Sequence, residues 1–340
     1  MSTICTTTTL DCPTEVLIPW VSYHLNIGID HMFLFFDNPD HPGIAAVENE
    51  RRITAVRCDG AYWPGGVAKR EKLTLHQRQW YNANKALQWA RERHIDWIVH
   101  IDSDELLYYP GRLHDALDAL PPNIEVVRFR VYEAIPEKLH YEHPFAQIRY
   151  FRVGPMRPTA KTWPRTWREW LQAGLRVTDY YTRLAVAKLL CRAARGPFLR
   201  GHIGGKSAVR TQAPIQGMGV HIPAPPAGYS YRDFFLPGAA VLHYDCSDFD
   251  SWLAKWRCRA AERHVPRNRD RKRRKYLAKF LKAESKKDPN ALVVLFRDQY
   301  MMTVPERLML EWLGLVRQVV FPDRIWQDGE SEIRQLQGKV

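Results

Sequence analysis

The 340-residue sequence lacks several features that would place it in a specialised class of protein. It has no uninterrupted apolar run long enough to cross a bilayer, which argues against a membrane-spanning helix. Residues 1–6 lack the basic start and apolar core of a secretory signal. None of the six cysteines forms a Cys-x-x-Cys pair, so their spacing indicates neither a zinc site nor a disulfide framework. These absences predict a cytoplasmic protein with reduced thiols.

Acidic residues are also scarce, with 37 Asp and Glu against 50 Lys and Arg, which gives a formal net charge of +13. The basic residues are densest around 157–210 and 255–282. Such a charge favours anionic partners, which include nucleotides and, through peripheral contact, an anionic membrane surface. No helix-turn-helix, zinc-finger or aromatic RNA-binding signature accompanies the basic stretches, so we expect no specific nucleic-acid partner. More often, basic runs of this kind are solvated helix faces.

Strand-like and helix-like segments alternate over the first part of the chain. Strand patterns near 2–10, 31–36, 53–58, 95–101 and 125–131 are separated by segments with helical spacing of apolar residues. This alternation predicts an α/β fold with a mostly parallel, doubly wound, Rossmann-like sheet.

The composition changes after the last of these strands. A helical insertion rich in Trp and Arg is expected at about 155–200, within a domain that covers 1–265. A basic helical extension is expected over 266–340.

Three acids follow the apolar strand 95–101 within four positions, and they suggest a metal site. Asp102 and Asp104 are separated by one residue, so both carboxylates point to the same side of an extended segment. Mg²⁺ and Mn²⁺ favour oxygen ligands, and open α/β sheets bind ligands beyond the carboxyl ends of their strands. Asp37, which follows the strand 31–36, is expected at the same edge. The alternative is a solvated turn whose acids cap a following helix.

A third protein ligand and a general base are also expected near this edge. His243 ends the short apolar strand around Val241, and strand ends hold ligands more rigidly than loops do, so His243 is preferred to His221 as the metal ligand. Glu133, just past the strand 125–131, is a candidate general base. The alternatives are a structural histidine and a loop acid that pairs with a nearby arginine.

The glycine-rich, basic stretch 201–210 resembles a phosphate-binding loop only in part. Arg200 stands where a Walker-type loop requires glycine, and the residues after Lys206 look extended, so a P-loop ATPase is excluded. Lys206 and Arg210 are nevertheless candidates for holding a diphosphate. The alternative is an ordinary hairpin with solvated cations.

Several of these segments, taken in order, resemble family-2-like and family-92-like glycosyltransferases. The likeness is dense over about residues 10–110, patchy to 260 and absent beyond. The segments that carry it read EVLIPWVSYHLNIGIDHMFLFFDNPD from Glu15, QWYN from Gln79, DWIVHIDSDELL from Asp96, KSAVR from Lys206 and LHY from Leu242.

The resemblance implies a GT-A fold, a nucleotide-sugar donor of the UDP type and a divalent Mn²⁺ or Mg²⁺. It carries over Asp102 and Asp104 as metal and diphosphate contacts and Asp37 as a contact to the donor nucleotide. The same motifs put Asn38 and Asn82 among the donor-binding candidates. Pro39 stands where the family usually has serine, and no clear Glu-Asp base motif is present.

These observations together predict a metal-dependent glycosyltransferase that moves a sugar to an acceptor hydroxyl on a glycan, polysaccharide or lipid-linked molecule. One alternative is a metal-dependent nucleotidyl- or phosphotransferase that uses the same carboxylates. The other is a non-catalytic protein that binds anionic partners through its basic face.

Overall fold

The structure of the protein is a computed structural model, which describes residues 1–155, 167–195, 197–201, 204–261, 271–321 and 325–326. Over these residues the chain forms one mixed sheet covered by helices. The strands are β1 (Ile4–Leu10), β2 (His31–Phe36), β3 (Ile53–Arg57), β4 (Trp97–His100), β5 (Glu105–Tyr108), β6 (Val126–Ala134), β7 (Tyr150–Val153), β8 (Lys206–Arg210), β9 (Asp233–His243) and β10 (Val316–Gln318). The helices are α1 (Thr14–Asn26), α2 (Gly43–Val47), α3 (Gly66–Arg70), α4 (Leu75–Glu92), α5 (Leu113–Asp118), α6 (Pro144–Gln147), α7 (Trp167–Leu190), α8 (Phe249–Ala261), α9 (Arg271–Ser285), α10 (Pro289–Tyr300) and α11 (Val304–Trp312).

One half of the sheet is parallel and has the order β3-β2-β1-β4. Every residue of β1 is buried, as expected for a strand that has helices on both faces. The helices between these strands have local start and stop signals. Thr74 and Gln77 form a capping box before α4, and Gly28, with φ of +96°, follows α1 in the left-handed conformation that glycine adopts without strain. The predicted α/β class, with its Rossmann-like parallel strands, is confirmed.

The other half of the sheet is built mainly from antiparallel pairs and surrounds the end of β4. β8 runs antiparallel to β4 on one side and to β6 on the other, while β7 and β10 extend the sheet beyond β6. β9 lies parallel to β6 and antiparallel to β5. These long-range pairings bring chain segments from residue 105 to residue 318 beside the parallel half.

The acids Asp102 and Asp104 are followed by a strand, β5. The alternative interpretation, in which they cap a following helix, is therefore not what the structure shows. Leu106 and Leu107 are fully buried, and they pair with β9. α1 also anchors this strand, because Trp20 Nε1 donates to the Glu105 carbonyl at 2.6 Å and the Tyr23 hydroxyl donates to the Leu107 carbonyl at 2.9 Å. Tertiary pairing therefore decides the conformation that follows the acids.

The predicted insertion contains one long helix, α7, while residues 156–166 of that stretch lie outside the described part of the chain. Within the basic stretch around 255–282, residues 262–270 lie outside the described part of the chain, and α9 begins at Arg271. β10 belongs to the main sheet, and Trp326 stacks on Tyr23 at 5.1 Å between ring centroids. The predicted boundary at 265 therefore does not mark the end of the sheet. Among the described residues, none of the helices has both the length and the apolar character needed to cross a bilayer.

Candidate functional site

The candidate site lies at the edge of the sheet where the parallel strands end. The Asp37 N–H donates to the Leu10 carbonyl at 3.0 Å, and the Ile101 N–H donates to the Thr7 carbonyl at 3.1 Å. The ends of β1, β2 and β4 are therefore at one edge. β8 is antiparallel, so its first residue, Lys206, is at this edge too. The Tyr244 N–H donates to the Asp104 carbonyl at 2.8 Å, which fixes the end of β9 against the acids.

Lys206 joins the first aspartate of the motif to Glu105. Its ammonium lies 2.7 Å from Asp102 Oδ2, 3.1 Å from Glu105 Oε2 and 3.3 Å from His100 Nδ1. Burial alone would raise the pKa of Asp102, but the Lys206 charge lowers it to about 2. The Lys206 side chain is fully buried. Lys206 therefore positions Asp102. This placement does not favour the direct contact between Lys206 and a diphosphate that the sequence predicts.

Gln79 on α4 is a further partner of Asp102 that sequence reasoning did not identify as functional. Its amide Nε2 donates to Asp102 Oδ1 at 2.8 Å. Both oxygens of Asp102 thus accept hydrogen bonds from the protein. The available signals were the position of Gln79 in the helix that precedes β4 and its place in the segment QWYN.

Asp104, His243 and Asp245 form a compact group of side chains at the same edge. One ligand atom from each lies within 4.8 Å of the other two. His243 Nε2 is 3.7 Å from Asp104 Oδ2. Burial alone would lower the pKa of His243, but Asp104 raises it to about 9. Burial likewise favours a higher pKa for Asp104, and the charges of His243 and then Lys255 bring it down to about 2.

Asp245 is the member of this group that sequence reasoning missed. It stands two positions after His243, so the two residues repeat the spacing of Asp102 and Asp104. Asp245 is buried, and its carboxylate accepts hydrogen bonds from Lys255 and from the Tyr300 hydroxyl, the latter at 3.0 Å. The His-x-Asp spacing was the signal that could have found it.

The spacing of this group is compatible with a divalent ion. Ligand oxygens around an octahedral ion at about 2.1 Å lie roughly 3.0–4.2 Å apart, which is compatible with the 4.8 Å limit of the group. Two carboxylates and an imidazole suit Mn²⁺ or Mg²⁺. The structure brings the predicted Asp104 and His243 together with Asp245, while Asp102 as a metal contact stays a prediction.

A cavity of about 400 Å³ opens beside these residues. Asp104, Asp245 and Lys255 lie on its wall, and so do Cys12 and Pro13 at the start of α1. Further acids line it at Asp11, Glu15 and Glu142. The cavity has the volume of a small-molecule site.

Asp37 is at the predicted edge, but its carboxylate is already paired. Arg78 binds it through two hydrogen bonds, Nε to Oδ1 and Nη2 to Oδ2, both at 2.9 Å. Arg70 lies 3.3 Å from Oδ2 and also donates to the Asp37 carbonyl at 2.8 Å. The geometry therefore makes Asp37 the residue that holds two arginines at the strand end. Neither arginine was identified from the sequence.

The remaining donor-binding candidates are engaged in internal contacts. Asn38 Oδ1 accepts from the Asp40 N–H within its own loop at 3.1 Å. Asn82 is buried, where it donates to Thr9 Oγ1 at 2.9 Å and accepts from the Tyr62 hydroxyl at 2.7 Å. These contacts favour structural roles for both amides.

Arg210 is not brought to the site. It ends β8 opposite Trp97, four residues or about 13 Å along the strand from Lys206. Its guanidinium stacks over the Trp97 ring and donates to the Ile124 carbonyl at 2.8 Å. Because β8 is a strand, its two ends lie far apart, and this placement does not favour the diphosphate contact of Arg210, which stays a prediction.

Glu133 and His221 have contacts that favour structural roles. β6 continues to Ala134, so Glu133 lies inside a strand and is buried. Its carboxylate accepts from the N–H groups of Arg200 and Gly201 at 2.6–2.8 Å. His221 Nδ1 is 3.0 Å from the Gly205 carbonyl. Glu133 as the general base stays a prediction, and its contacts fit a loop anchor better.

Two proteins of Arabidopsis thaliana, both named glycosyltransferase-like, are similar to this chain. They are 26% identical over 276 residues and 24% identical over 278 residues, and each alignment covers 74% of this chain. The alignments cover 55% and 49% of the two proteins, so the chain spans about half the length of the curated relatives it matches. No protein-family model matches the sequence.

Among solved structures, HddC from Yersinia pseudotuberculosis aligns with 75% of this chain and 97% of its own. The TM-score is 0.35 at 10% identity, which is too low to carry an argument. The names of the two plant proteins support a relationship to glycosyltransferase-like proteins.

Proposed function

We propose that this chain is a divalent-metal-dependent glycosyltransferase that uses a nucleotide-sugar donor. Among nucleotide sugars, we expect a UDP-type donor. The observation that carries the proposal is the group of Asp104, His243 and Asp245 at the strand edge, beside the Asp102–Lys206 pair. The similarity to two proteins named glycosyltransferase-like supports it independently.

Each part of the edge has a role in this proposal. Asp104, His243 and Asp245 would hold the ion, which when bound supplies positive charge against the diphosphate of the donor. Asp102 is held by Lys206 and Gln79 at the same edge of the sheet. Arg70, held by Asp37, adds a further positive charge near the end of β2.

The chemistry of transfer is one substitution at the anomeric carbon. The acceptor hydroxyl oxygen forms the new bond, the bond from that carbon to the donor phosphate breaks, and the nucleoside diphosphate leaves with the electron pair. The hydroxyl proton passes to a base. The cavity next to Asp104 is the space in which we expect the acceptor or the transferred sugar to bind. A glycan, polysaccharide or lipid-linked acceptor fits this scheme equally.

A thermal-shift panel of nucleotide sugars, with Mn²⁺ or with EDTA, tests the proposal. At about 100 times its Kd, a donor should stabilise the folded protein by roughly 2.7 kcal/mol, and only when Mn²⁺ is present. Asp104→Asn should remove this effect and metal-dependent donor turnover, since it removes a ligand charge. Asp250→Asn is the matched control, because Asp250 is an exposed carboxylate that lies 2.8 Å from His140 and outside the metal group.

The products of turnover separate this function from its alternatives. Sugar transfer, or donor hydrolysis at the anomeric carbon, releases a nucleoside diphosphate. Transfer of the sugar phosphate releases a nucleoside monophosphate instead, and nucleotidyl transfer releases a sugar phosphate. A binding protein would show neither product, and its affinity for anionic partners would fall steeply with salt. Equal donor stabilisation in EDTA and in Mn²⁺ would contradict the metal-dependent mechanism.

A further inference from the structure

Lys255 on α8 reaches the same two carboxylates that belong to the proposed metal group. Its ammonium donates to a carboxylate oxygen of Asp245 and to the Asp245 carbonyl, the latter at 3.1 Å. It also lies 3.5 Å from Asp104 Oδ2. One ammonium group therefore bridges the two acids.

The position of this ammonium conflicts with a bound ion. A divalent ion held by Asp104 and Asp245 would lie about 2.1–2.2 Å from one oxygen of each. Asp104 Oδ2, the oxygen near Lys255, is also the atom that faces His243 Nε2 at 3.7 Å. An ion bound by all three side chains would thus occupy the region in which the ammonium lies, and the two cations would repel each other.

Lys255 also has a route out of the site. Its side chain is 35% exposed and lies on the wall of the cavity, whereas the Asp245 carboxylate beneath it is 4% exposed. The lysine stem is flexible and ends in a compact charge, so the ammonium can move into the cavity while the backbone of α8 stays in place. Arg259, 3.8 Å from Asp245 Oδ1, remains as a partial counter-charge.

We propose that Lys255 is an internal cation that occupies the Asp104–Asp245 pair in the metal-free protein and is displaced when a divalent ion binds. The assignment rests on the proposed function for the identity of the metal group. It goes further, because it makes Lys255 a competitor of the ion for the Asp104 and Asp245 carboxylates. The lysine stabilises the metal-free fold, because without it the buried Asp245 carboxylate would lose its nearest cationic partner.

This arrangement has a measurable consequence for metal affinity. Binding of the ion must break the contacts of Lys255, so wild-type affinity is lower than the ligand set alone would give. Removing the lysine charge should tighten Mn²⁺ binding by about tenfold, which corresponds to about 1.4 kcal/mol. The same change should lower the melting temperature in EDTA.

Calorimetric titration with Mn²⁺ alone, on wild type and on Lys255→Met, tests the proposal without any sugar substrate. Lys255→Met should bind Mn²⁺ about tenfold more tightly, melt earlier in EDTA and gain more stability from Mn²⁺ than wild type does. Lys255→Arg keeps the charge and should show no gain in affinity. Arg257→Met is the control on the same helix, because Arg257 pairs with Glu284 at 3.1 Å and should leave Mn²⁺ binding unchanged.

The outcomes separate this inference from the proposed function. Mn²⁺ binding that appears only in Lys255→Met supports the displacement. Equal or weaker binding by Lys255→Met than by a wild type that does bind Mn²⁺ overturns the displacement and leaves the metal site standing. Absence of Mn²⁺ binding in both overturns the metal site and the displacement together. If Lys255→Met does not fold, Lys255→Gln gives the same comparison with a polar side chain.

Discussion

Replacement of Lys206 by methionine should destabilise the protein, because this lysine is a buried cation between two acids. The ammonium lies 2.7 Å from Asp102 Oδ2 and 3.1 Å from Glu105 Oε2, and the Lys206 and Glu105 side chains are fully buried. Methionine has a similar length but removes the cation that lies beside the buried Glu105 carboxylate. Loss of one partner of a buried ion pair costs about 3–5 kcal/mol.

The lower end of that range applies here. Asp102 is 23% exposed and keeps its hydrogen bond from Gln79, so water and the amide still stabilise its charge. Glu105 keeps the Asp102 N–H as a donor at 2.9 Å. We therefore expect a loss of about 3 kcal/mol in the free energy of unfolding. With a urea m-value of about 3 kcal/mol per M, the midpoint should fall by about 1 M.

The assay is urea unfolding in EDTA, followed by circular dichroism and by tryptophan fluorescence. Lys286→Met changes an exposed lysine and should stay within about 0.5 kcal/mol of wild type. The double variant Lys206→Met/Glu105→Gln should recover part of the loss, because it removes the buried Glu105 charge together with its cationic partner. A Lys206→Met midpoint that coincides with that of Lys286→Met would refute this account of the site. The account would also be refuted if the double variant lost as much stability as Lys206→Met and Glu105→Gln lose together.

Two further predictions concern His24 and His243. Burial lowers the pKa of His24 to about 4, whereas a histidine in the unfolded chain has a pKa of about 6.5. Between these two pH values the unfolded chain binds a proton that the folded protein does not. The free energy of unfolding should therefore fall by about 3 kcal/mol as the pH falls from about 6.5 to about 4. The urea midpoint of His24→Gln should fall less over that pH range than the wild-type midpoint does, and parallel curves would contradict the assignment. In Gly201→Ala, the added Cβ would overlap His243 Cε1, so we expect the imidazole to shift and Mn²⁺ binding to weaken by about tenfold. Gly204→Ala is the control, since its Cβ would meet His221 at an ordinary 3.4 Å; equal Mn²⁺ affinity in the two variants would contradict the expected shift.

The parallel half of the sheet could be predicted from the sequence because its signals are local. Apolar runs, the capping residue Thr74 and the left-handed Gly28 each act within a few residues of the element they define. Parallel strands joined by helices must end at one edge, so Asp37 and Asp104 could be placed at that edge before any contact was known. His243 was found in the same way, as the polar end of an apolar strand.

The partners of these residues were decided only by the tertiary structure. Which strand lies beside β4 depends on pairing between residues more than 100 positions apart, as the Lys206–Asp102 pair illustrates, and no local pattern in either segment encodes that choice. The same pairing separated Arg210 from the site, placed Glu133 inside a strand and put Asp245 next to Asp104. The electrostatic role of a charged side chain depends on its burial and on its distance from other charges. Both are set only when the chain folds around it.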